Sequence, residues 1–325
     1  KSIVVTGTNG KSTTCKLITH LLKKNKSKIL LGGNIGNPIL DLKIKKNTYI
    51  VIEASSFQLS HSKFIKPDYA FLLNISNDHL DWHKNIQDYI NSKFKIFNLQ
   101  QKNNFSFTSN KLKKIFIKKK FTSKLITPEI KNYKKIKHKI KNFYLSSNIN
   151  DENMSYVYSF SRLLKISEKT FINTMKSFTG LPHRYEIFLK KKNIIFINDS
   201  KATSFEASKC ALQSSKNIYW ILGGLPKKND KIILKGIQDN ITKAYLIGKN
   251  IKFFKKQIKN KINFSVSNNI KDSIITILKD IQSFNKMQST ILLSPAAASF
   301  DQYLNFERRG DEFKKWSKFY ARKYI

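Results

Sequence analysis

The chain has 325 residues, of which 40% are hydrophobic, and it contains two cysteines, Cys15 and Cys210. This length suits two domains of ordinary size, each with its own hydrophobic core. No stretch approaches the ~20 uninterrupted apolar residues of a transmembrane helix, so we expect no membrane insertion. Because the two cysteines are far apart, they form neither a metal-binding spacing nor a disulfide framework, which predicts a reduced, cytoplasmic protein.

The formal net charge of +40 allows two interpretations. A basic chain can bind nucleic acid. However, the lysines are spread among many Asn and Ile residues, with denser stretches at residues 111–120 and 131–141, and no zinc spacing or aromatic-glycine RNA-binding signature accompanies them. We therefore favour a compositional bias combined with attraction of small anions. No specific nucleic-acid partner is expected, only the weak, salt-sensitive affinity that charge alone produces.

The first 22 residues have the pattern of a phosphate-binding loop. A β-branched run at residues 3–5 predicts a buried strand, and apolar residues at 17, 18, 21 and 22 share one face of a predicted helix. Between them stands Gly7-Thr8-Asn9-Gly10-Lys11-Ser12. Glycines let backbone N–H groups face a phosphate, the lysine can reach the outer phosphates, and the serine hydroxyl can bind Mg²⁺. Val5 replaces the first glycine of the usual motif, so the loop is a shortened variant; the alternative is an ordinary turn with a solvated lysine.

Polar side chains follow the next three predicted strands, at residues 28–31, 49–52 and 69–73. The first strand runs into a glycine-rich bend at 32–36, which suits either a plain turn or the close approach of a ligand. Glu53 ends the second strand, where it is either a surface residue or a partner of Ser12 in holding Mg²⁺. The third strand runs into the polar stretch Asn74-Ile75-Ser76-Asn77-Asp78-His79-Leu80-Asp81, whose His and Asp donor atoms suit a metal ion or a substrate.

The middle of the chain contains helices, a lysine-rich segment and a break. A predicted amphipathic helix at residues 87–99 carries Lys93 next to its apolar face; the default is a solvated lysine, although the amine in a partly dry site can react with CO₂ to give a carbamate. Residues 100–145 predict two or three modest strands and connecting loops, with apolar runs at 105–107 and 115–117. Helices follow at 150–164 and 167–178, and residues 179–182 form a predicted interdomain hinge.

A second alternation of strands and helices follows the hinge. Strands are predicted at residues 194–197, 218–222, 244–247 and 289–293, and helices near 205–213, 270–281 and 306–319. This alternation predicts a parallel sheet. Because polar or glycine residues follow these strands, among them Asp199, Lys201 and Ser294, we expect a cleft along one edge of that sheet.

Six stretches of the chain stand in the order in which Mur ligases carry them. They are Gly7–Ser12, Glu53–Gln58, Asn77-Asp78-His79, Gly180-Leu181-Pro182-His183-Arg184, Asp199-Ser200-Lys201-Ala202-Thr203 and Ser294–Gly310. The first three are shared by the wider superfamily of Mur and folylpolyglutamate ligases. The last three stretches resemble the motifs of the branch of the family that adds D-glutamate. The resemblance covers nearly the whole chain except residues 100–145.

The resemblance implies an α/β architecture and an activity. The architecture is a P-loop-type parallel-sheet ATPase domain at residues 1–180, followed by a second, Rossmann-like α/β domain at 181–325 that binds an amino acid. The family also has a first domain that grips uridine diphosphate, for which we expect no counterpart here. The implied activity is ATP-dependent amide bond formation through an acyl phosphate. The enzyme would add D-glutamate to UDP-N-acetylmuramoyl-L-alanine during the cytoplasmic synthesis of peptidoglycan precursors. It is expected to be a monomer.

The resemblance also implies roles for individual residues at the ATP. Nucleotide contacts are expected from Gly7, Thr8, Asn9, Gly10, Lys11, Ser12, Thr13, Asn153, Arg184 and Asp199. Ser12 and Glu53 would hold one Mg²⁺, and His79 and a carbamylated Lys93 would hold a second. A carbamate turns the lysine cation into a carboxylate-like ligand, which is why a lysine can stand beside magnesium. Lys11, Lys93, His79 and Lys201 are the expected catalytic residues.

The substrate side is implied in the same way. Asn34 matches an asparagine near the reacting end of the muramoyl substrate, and Thr203, Lys227, Ser299 and Phe306 match positions that hold D-glutamate. Three alternatives stay open: another Mur-type or folylpolyglutamate ligase, a basic nucleic-acid-associated P-loop protein, and a truncated relic that only binds nucleotide.

Overall fold

The computed structural model describes residues 1–76, 82–227, 230–284 and 288–325. Within these ranges the chain divides into two units, Lys1–Thr179 and Gly180–Ile325, and each is built on one six-stranded sheet. The division falls inside the segment 179–182, where glycine and proline interrupt the helical pattern.

The sheet of the first unit is parallel throughout, in the strand order β2-β3-β1-β4-β5-β6. Its strands are β1 (Ser2–Thr6), β2 (Lys28–Gly33), β3 (Thr48–Glu53), β4 (Tyr69–Leu72), β5 (Phe105–Thr108) and β6 (Lys124–Ile126). The four strands predicted before residue 100 are confirmed. Because β2, β3, β1 and β4 are neighbours, the residues that follow them share one edge of the sheet.

Eight helices accompany this sheet in the described part of the first unit. They are α1 (Lys11–Lys24), α2 (Ser56–His61), α3 (Ile86–Phe94), α4 (Asn110–Lys118), α5 (Ile130–Lys137), α6 (Phe143–Ser146), α7 (Asp151–Leu163) and α8 (Glu168–Lys176). The apolar face predicted for α1 is confirmed, since its leucines and isoleucine at 17, 18, 21 and 22 are all buried. The helices predicted near 87–99, 150–164 and 167–178 are confirmed as α3, α7 and α8.

The lysine-rich segment 100–145 differs from its prediction. The run at 105–107 is a strand, but residues 115–117 belong to α4, and α5 occupies a stretch predicted as loop. Leu112 and Phe116 of α4 are buried four residues apart, and Tyr133 and Ile136 of α5 are buried three residues apart. With only two buried positions per helix, the apolar stripe is too narrow to stand out from the surrounding lysines.

The sheet of the second unit has the order β11-β10-β9-β12-β8-β7. Its strands are β7 (Glu186–Lys191), β8 (Ile194–Asn198), β9 (Ile218–Gly223), β10 (Ile241–Ile247), β11 (Phe264–Asn268) and β12 (Ser289–Leu293). The four predicted strands β8, β9, β10 and β12 are confirmed and pair in parallel, as expected, whereas β7 was not predicted. The edge strand β7 pairs antiparallel with β8, because the two residues between them leave room only for a hairpin.

The helices of the second unit are α9 (Phe205–Ser214), α10 (Ile251–Ile258), α11 (Ile270–Phe284) and α12 (Phe306–Tyr324). Three of them were predicted, whereas α10 and the strand β11 were not. One core joins the sheet to α11 and α12 through side chains such as Ile277 and Phe313. None of the helices in the described ranges combines the length and the apolar character required to cross a bilayer.

Candidate active site

The glycine loop of the first unit connects β1 to α1 at the carboxyl edge of the sheet. Gly10 caps the helix in the left-handed region, with φ +83°. A Cβ at this position would lie 2.1 Å from Oδ1 of Asn153 on α7, so only glycine fits. The same Asn153 Oδ1 accepts a hydrogen bond from Thr14 Oγ1 at 3.3 Å. The predicted nucleotide residue Asn153 therefore lies directly against the loop.

Two lysine amines converge on one carbonyl of this loop. Lys11 Nζ donates to the Gly7 carbonyl at 2.7 Å and to the Thr8 carbonyl at 2.8 Å. Lys93 Nζ, from α3, donates to the same Gly7 carbonyl at 2.8 Å. Lys93 is only 1% exposed, and its amine also lies 4.6 Å from the centroid of the Tyr89 ring. The default of a solvated lysine was wrong, because α3 packs this face against the phosphate-binding loop.

Ser12 and Glu53 form the polar centre of the edge. Ser12 Oγ donates to Glu53 Oε2 at 2.6 Å, and both residues are buried. Asn34 Nδ2 donates to the other carboxylate oxygen, Glu53 Oε1, at 3.1 Å, and Asn34 N donates to the Glu53 carbonyl at 2.9 Å. Three residues predicted from three separate strand ends are thus brought into direct contact, as the parallel order of β2, β3 and β1 requires.

This donor set fits a magnesium ion. Mg²⁺ prefers carboxylate and hydroxyl oxygens, and the Ser12 hydroxyl and Glu53 carboxylate lie side by side next to the loop. The described residues contain no cluster of three or more His, Cys, Asp or Glu that could form an all-protein cage. A site with one carboxylate and one hydroxyl suits an ion that is shared with phosphate oxygens, which is how Mg²⁺ is usually bound.

Two residues of this edge, Asn74 and Glu152, were given no role by sequence reasoning. Asn74 follows β4 and accepts two hydrogen bonds from the loop. Its side-chain Oδ1 accepts from Asn9 N at 2.9 Å, and its backbone carbonyl accepts from Thr8 N at 3.0 Å. Its Nδ2 donates to Glu152 Oε2 at 3.0 Å, and burial raises the pKa of Glu152. Only the position of Asn74 directly after a strand could have signalled it.

The remaining predictions for the first unit have separate outcomes. His79, with Asn77, Asp78 and Asp81, lies outside the described residues. Thr13 is buried in the first turn of α1. A histidine that the sequence reasoning passed over, His83, is buried and shares a hydrogen bond of 2.9 Å with Ser56 Oγ, while its ring stacks on Phe57.

In the second unit, Asp199 follows β8 and is held on both oxygens. Its Oδ1 accepts from Tyr185 N at 3.0 Å, and its Oδ2 accepts from Ser294 Oγ at 2.7 Å. Burial raises the pKa of Asp199 to about 7, although these hydrogen bonds and the nearby Arg184 act in the opposite direction. Asp199 thus joins the turn before β7 to the loop after β12.

Lys201 and Phe306 meet directly. Lys201 Nζ lies 3.8 Å from the centroid of the Phe306 ring, a distance at which the cation is attracted to the ring face. The backbone N–H of Lys201 donates to the His183 carbonyl at 3.0 Å. Burial and the nearby Lys314 lower the pKa of His183. Two residues predicted from opposite ends of the second unit are therefore neighbours.

The other predicted amino-acid contacts lie on adjoining loops. Thr203 follows β8, Lys227 follows β9 and Ser299 follows β12, and these three strands are neighbours in the order β9-β12-β8. Ser299 is buried, whereas Thr203 and Lys227 are half-buried. The loops after β9 and β12 are bound to each other, since Leu225 and Ala298 exchange backbone hydrogen bonds of 2.8 and 2.9 Å. The expected cleft-edge arrangement of loops is therefore present in this unit.

The comparisons with known proteins point in one direction. Residues 5–176 match the family model of the Mur ligase middle domain. A UDP-N-acetylmuramoylalanine–D-glutamate ligase of Rickettsia felis is 35% identical over 97% of this chain and 75% of its own length. A relative of the same name from a Wolbachia of Brugia malayi is 36% identical over 96% of this chain and 74% of its own length. The chain thus spans about three quarters of the length of these relatives.

A solved structure shares the fold. The MurF ligase from Thermotoga maritima, determined in complex with ADP, superposes with a TM-score of 0.74 at 17% sequence identity. The similarity covers 100% of this chain and 81% of the MurF chain. At this level of identity the match establishes the two-sheet α/β architecture.

Proposed function

The chain belongs to the Mur ligase family of ATP-dependent ligases, and we propose that it joins D-glutamate to UDP-N-acetylmuramoyl-L-alanine by an amide bond. The observation that carries this proposal is the contact of Ser12, Glu53 and Asn34 beside a lysine-bearing glycine loop. Such a site binds a nucleotide triphosphate with its Mg²⁺. The names of the two relatives support the choice of substrates. Since ATP and nucleotide-sugar precursors are made in the cytoplasm, we place the reaction there; a monomeric state stays a prediction.

A carboxylate must be activated before an amine can displace one of its oxygens. In the proposed reaction the alanyl carboxylate oxygen attacks the γ-phosphorus of ATP, and ADP leaves. The D-glutamate nitrogen then attacks the acyl carbon, loses a proton, and the C–O bond to phosphate breaks as the amide forms. The phosphoryl transfer spreads negative charge over oxygen atoms, so the protein's part is to place positive charge beforehand.

The first unit supplies this charge. Lys11 and the N–H groups at the start of α1 would face the phosphates, and the amino terminus of α1 adds a partial positive charge. Bound Mg²⁺, held by Ser12 and Glu53, would neutralise developing charge on the phosphate oxygens. Asn34 orients the Glu53 carboxylate through its hydrogen bond to Oε1. A second ion at His79 and a carbamylated Lys93 is part of the proposal.

The second unit supplies the amino-acid pocket. The hydroxyls of Thr203 and Ser299 and the Lys227 ammonium are apt partners for the carboxylates of D-glutamate. Phe306 and Lys201, which are in contact, form its other wall. The implied contacts of Arg184 and Asp199 with ATP stay predictions.

The experiment is a steady-state comparison of amino acids with the full-length enzyme, ATP and UDP-N-acetylmuramoyl-L-alanine. We expect D-glutamate to be preferred over D-glutamine by at least ~100-fold, because loss of the side-chain carboxylate leaves a partly desolvated charge without its partner. L-glutamate and meso-diaminopimelate complete the set. A preference for either, or for glutamate added to a folate, would move the protein to another branch of the family.

Two variant pairs accompany this comparison. Lys227→Ala should raise KM for D-glutamate much more than KM for ATP, whereas Lys231→Ala, an exposed lysine nearby, should change neither. Lys11→Ala should abolish phosphate release while leaving the fold intact. Lys16 is exposed on the same helix, and Lys16→Ala should release phosphate at the wild-type rate. Full turnover by Lys11→Ala would remove the phosphate-binding role from the loop.

A further inference from the structure

Arg309, in the first turns of α12, is a buried guanidinium that sequence reasoning did not single out. It is 1% exposed, and among the described residues its Nη1 has no hydrogen-bond partner. Burial lowers the pKa of Arg309 to about 10, which still leaves the group charged at neutral pH. Since burying a charge is costly, its surroundings must bind it strongly for the fold to retain it.

The other nitrogens of Arg309 bind two loops of the candidate amino-acid pocket. Nε donates to Ser200 Oγ at 3.0 Å and Nη2 donates to the Ser200 carbonyl at 2.8 Å. Nη2 also donates to the Ala297 carbonyl at 2.9 Å. Ser200 precedes Lys201 and Thr203, and Ala297 precedes Ser299. One side chain thus fastens the loop after β8 to the loop after β12.

The same guanidinium stands against a third loop and against its own helix. A Cβ placed on Gly224, after β9, would lie 3.1 Å from Nη1, so the loop that leads to Lys227 lies close against the guanidinium. Ser200 Oγ, which accepts from Nε, donates in turn to the Phe306 carbonyl at 2.8 Å. All four segments that carry the proposed D-glutamate contacts therefore meet at Arg309.

We propose that Arg309 is the positioning residue of the amino-acid pocket, holding Thr203, Lys227, Ser299 and Phe306 in the arrangement that binds the incoming amino acid. The inference rests on the proposed function only in taking these four residues as the amino-acid contacts. Arginine suits the task because its planar fork presents several donors in fixed directions, whereas a lysine offers one flexible ammonium and a methionine offers none.

The test compares KM for D-glutamate with KM for ATP in the full-length enzyme. Arg309→Met should raise KM for D-glutamate by ~10-fold or more and change KM for ATP by less than ~2-fold, because its contacts lie on the amino-acid loops. Arg309→Lys keeps the charge and should recover part of the affinity. The matched control is Tyr245→Phe, which removes a buried hydroxyl bonded to Asp280 elsewhere in the same unit and should leave both constants unchanged. Equal rises of both constants, or the same pattern in the control, would overturn the inference.

A second readout does not depend on turnover. In the Arg309→Lys and Arg309→Met proteins, amide hydrogen exchange should rise in residues 200–203, 223–227 and 297–299, while β10 keeps its protection. Unchanged exchange in these three loops would contradict the positioning role even if activity fell. If the wild-type enzyme prefers another amino acid, the D-glutamate assignment fails, and the same KM comparison is made with the preferred amino acid. The two failures are thus distinguishable.

Discussion

The Gly7 carbonyl is the point at which residue-scale chemistry of the first unit concentrates. It accepts hydrogen bonds from both Lys11 and Lys93, so two amines stand within hydrogen-bond distance of one oxygen. Two ammonium groups that share one acceptor repel each other, because like charges are brought close together. Carbamylation of Lys93 would replace this repulsion with attraction, and a carbamate keeps one N–H to donate to Gly7. The carbamate at Lys93 stays a prediction, which the shared Gly7 acceptor motivates.

We predict that Lys93→Ala is inactive and is partly rescued by a short-chain carboxylic acid such as acetate, which supplies the missing negative group. Lys84→Ala, at an exposed position before α3, serves as the control and should stay active without acid. With ¹³C-labelled bicarbonate, the wild-type enzyme should show a carbamate signal that the Lys93 variant lacks. An active Lys93→Ala protein, together with no carbamate signal in the wild type, would refute the modification.

A second residue-scale prediction concerns Asp199, whose pKa burial raises to about 7. An unfolded aspartate ionises near pH 3.9, so between about pH 4 and 7 the folded state holds a proton that the unfolded state has lost. The contribution of Asp199 to the free energy of unfolding therefore falls as the pH rises through this window, by about 1.4 kcal/mol per pH unit. An asparagine at position 199 resembles the protonated aspartic acid but does not titrate, so its contribution to the free energy of unfolding does not depend on pH.

The measurement is urea unfolding of wild type and Asp199→Asn from pH 5 to pH 8. The free energy of unfolding of Asp199→Asn, relative to that of the wild type, should rise by up to about 3 kcal/mol from pH 5 to pH 8. The reason is that the wild type loses stability over about two pH units, between pH 5 and the folded-state pKa of about 7. Asp239→Asn, at an exposed position, provides the reference for effects of net charge. A difference between Asp199→Asn and wild type that is independent of pH would contradict the raised pKa.

At the scale of elements, one buried amide joins the lysine-rich segment to the end of α8. Asn142 Nδ2 lies within hydrogen-bond distance of the carbonyls of Met175, Lys176 and Phe178, at 3.0, 3.1 and 2.7 Å. Its Oδ1 accepts from Leu145 N at 3.0 Å and so caps α6. Because carbonyls at the end of a helix have no partner within the helix, this side chain provides donors for them.

We predict that Asn142→Ala lowers the free energy of unfolding by about 2–3 kcal/mol, since buried carbonyls lose their donor. Asn142→Asp keeps the cap on Leu145 but turns a carboxylate toward the carbonyls, so it should be at least as destabilising. Asn132→Ala, in the exposed part of the same segment, should change stability by less than about 0.5 kcal/mol. Chemical denaturation measures the free energy of unfolding of the three variants and of the wild type. If Asn142→Ala is as stable as the wild type, the amide is dispensable for stability.

At the scale of the whole molecule, the dominant property is the net charge of +40. Lysines cover both units, and helices such as α5 bring several together; four of its eight residues are lysine. A positive field of this kind attracts any polyanion, and this attraction weakens as salt screens it. It also raises the local concentration of anionic small molecules near the two units.

We therefore predict weak binding of a random-sequence DNA duplex that falls steeply between 50 and 300 mM salt, as charge neutralisation of phosphates requires. Fluorescence anisotropy with a labelled duplex measures the affinity. Addition of the duplex should not stimulate phosphate release, whereas D-glutamate with the muramoyl substrate should. Stimulation by DNA, or salt-resistant binding, would favour a nucleic-acid-associated function over the ligase.

Local patterns in the sequence were sufficient for the two α/β units, the strand–loop–helix at the phosphate site and the polar strand ends, because these depend on residues close together in the chain. The contact of Ser12 with Glu53 was also predictable, since parallel neighbouring strands end at one edge. Only the tertiary structure placed Lys93 on Gly7, 86 residues away, and Asn153 against Gly10. It likewise decided the antiparallel β7, the helices among the lysines and the meeting of three loops with the start of α12 at Arg309, because periodicity carries no record of which distant surfaces pack together.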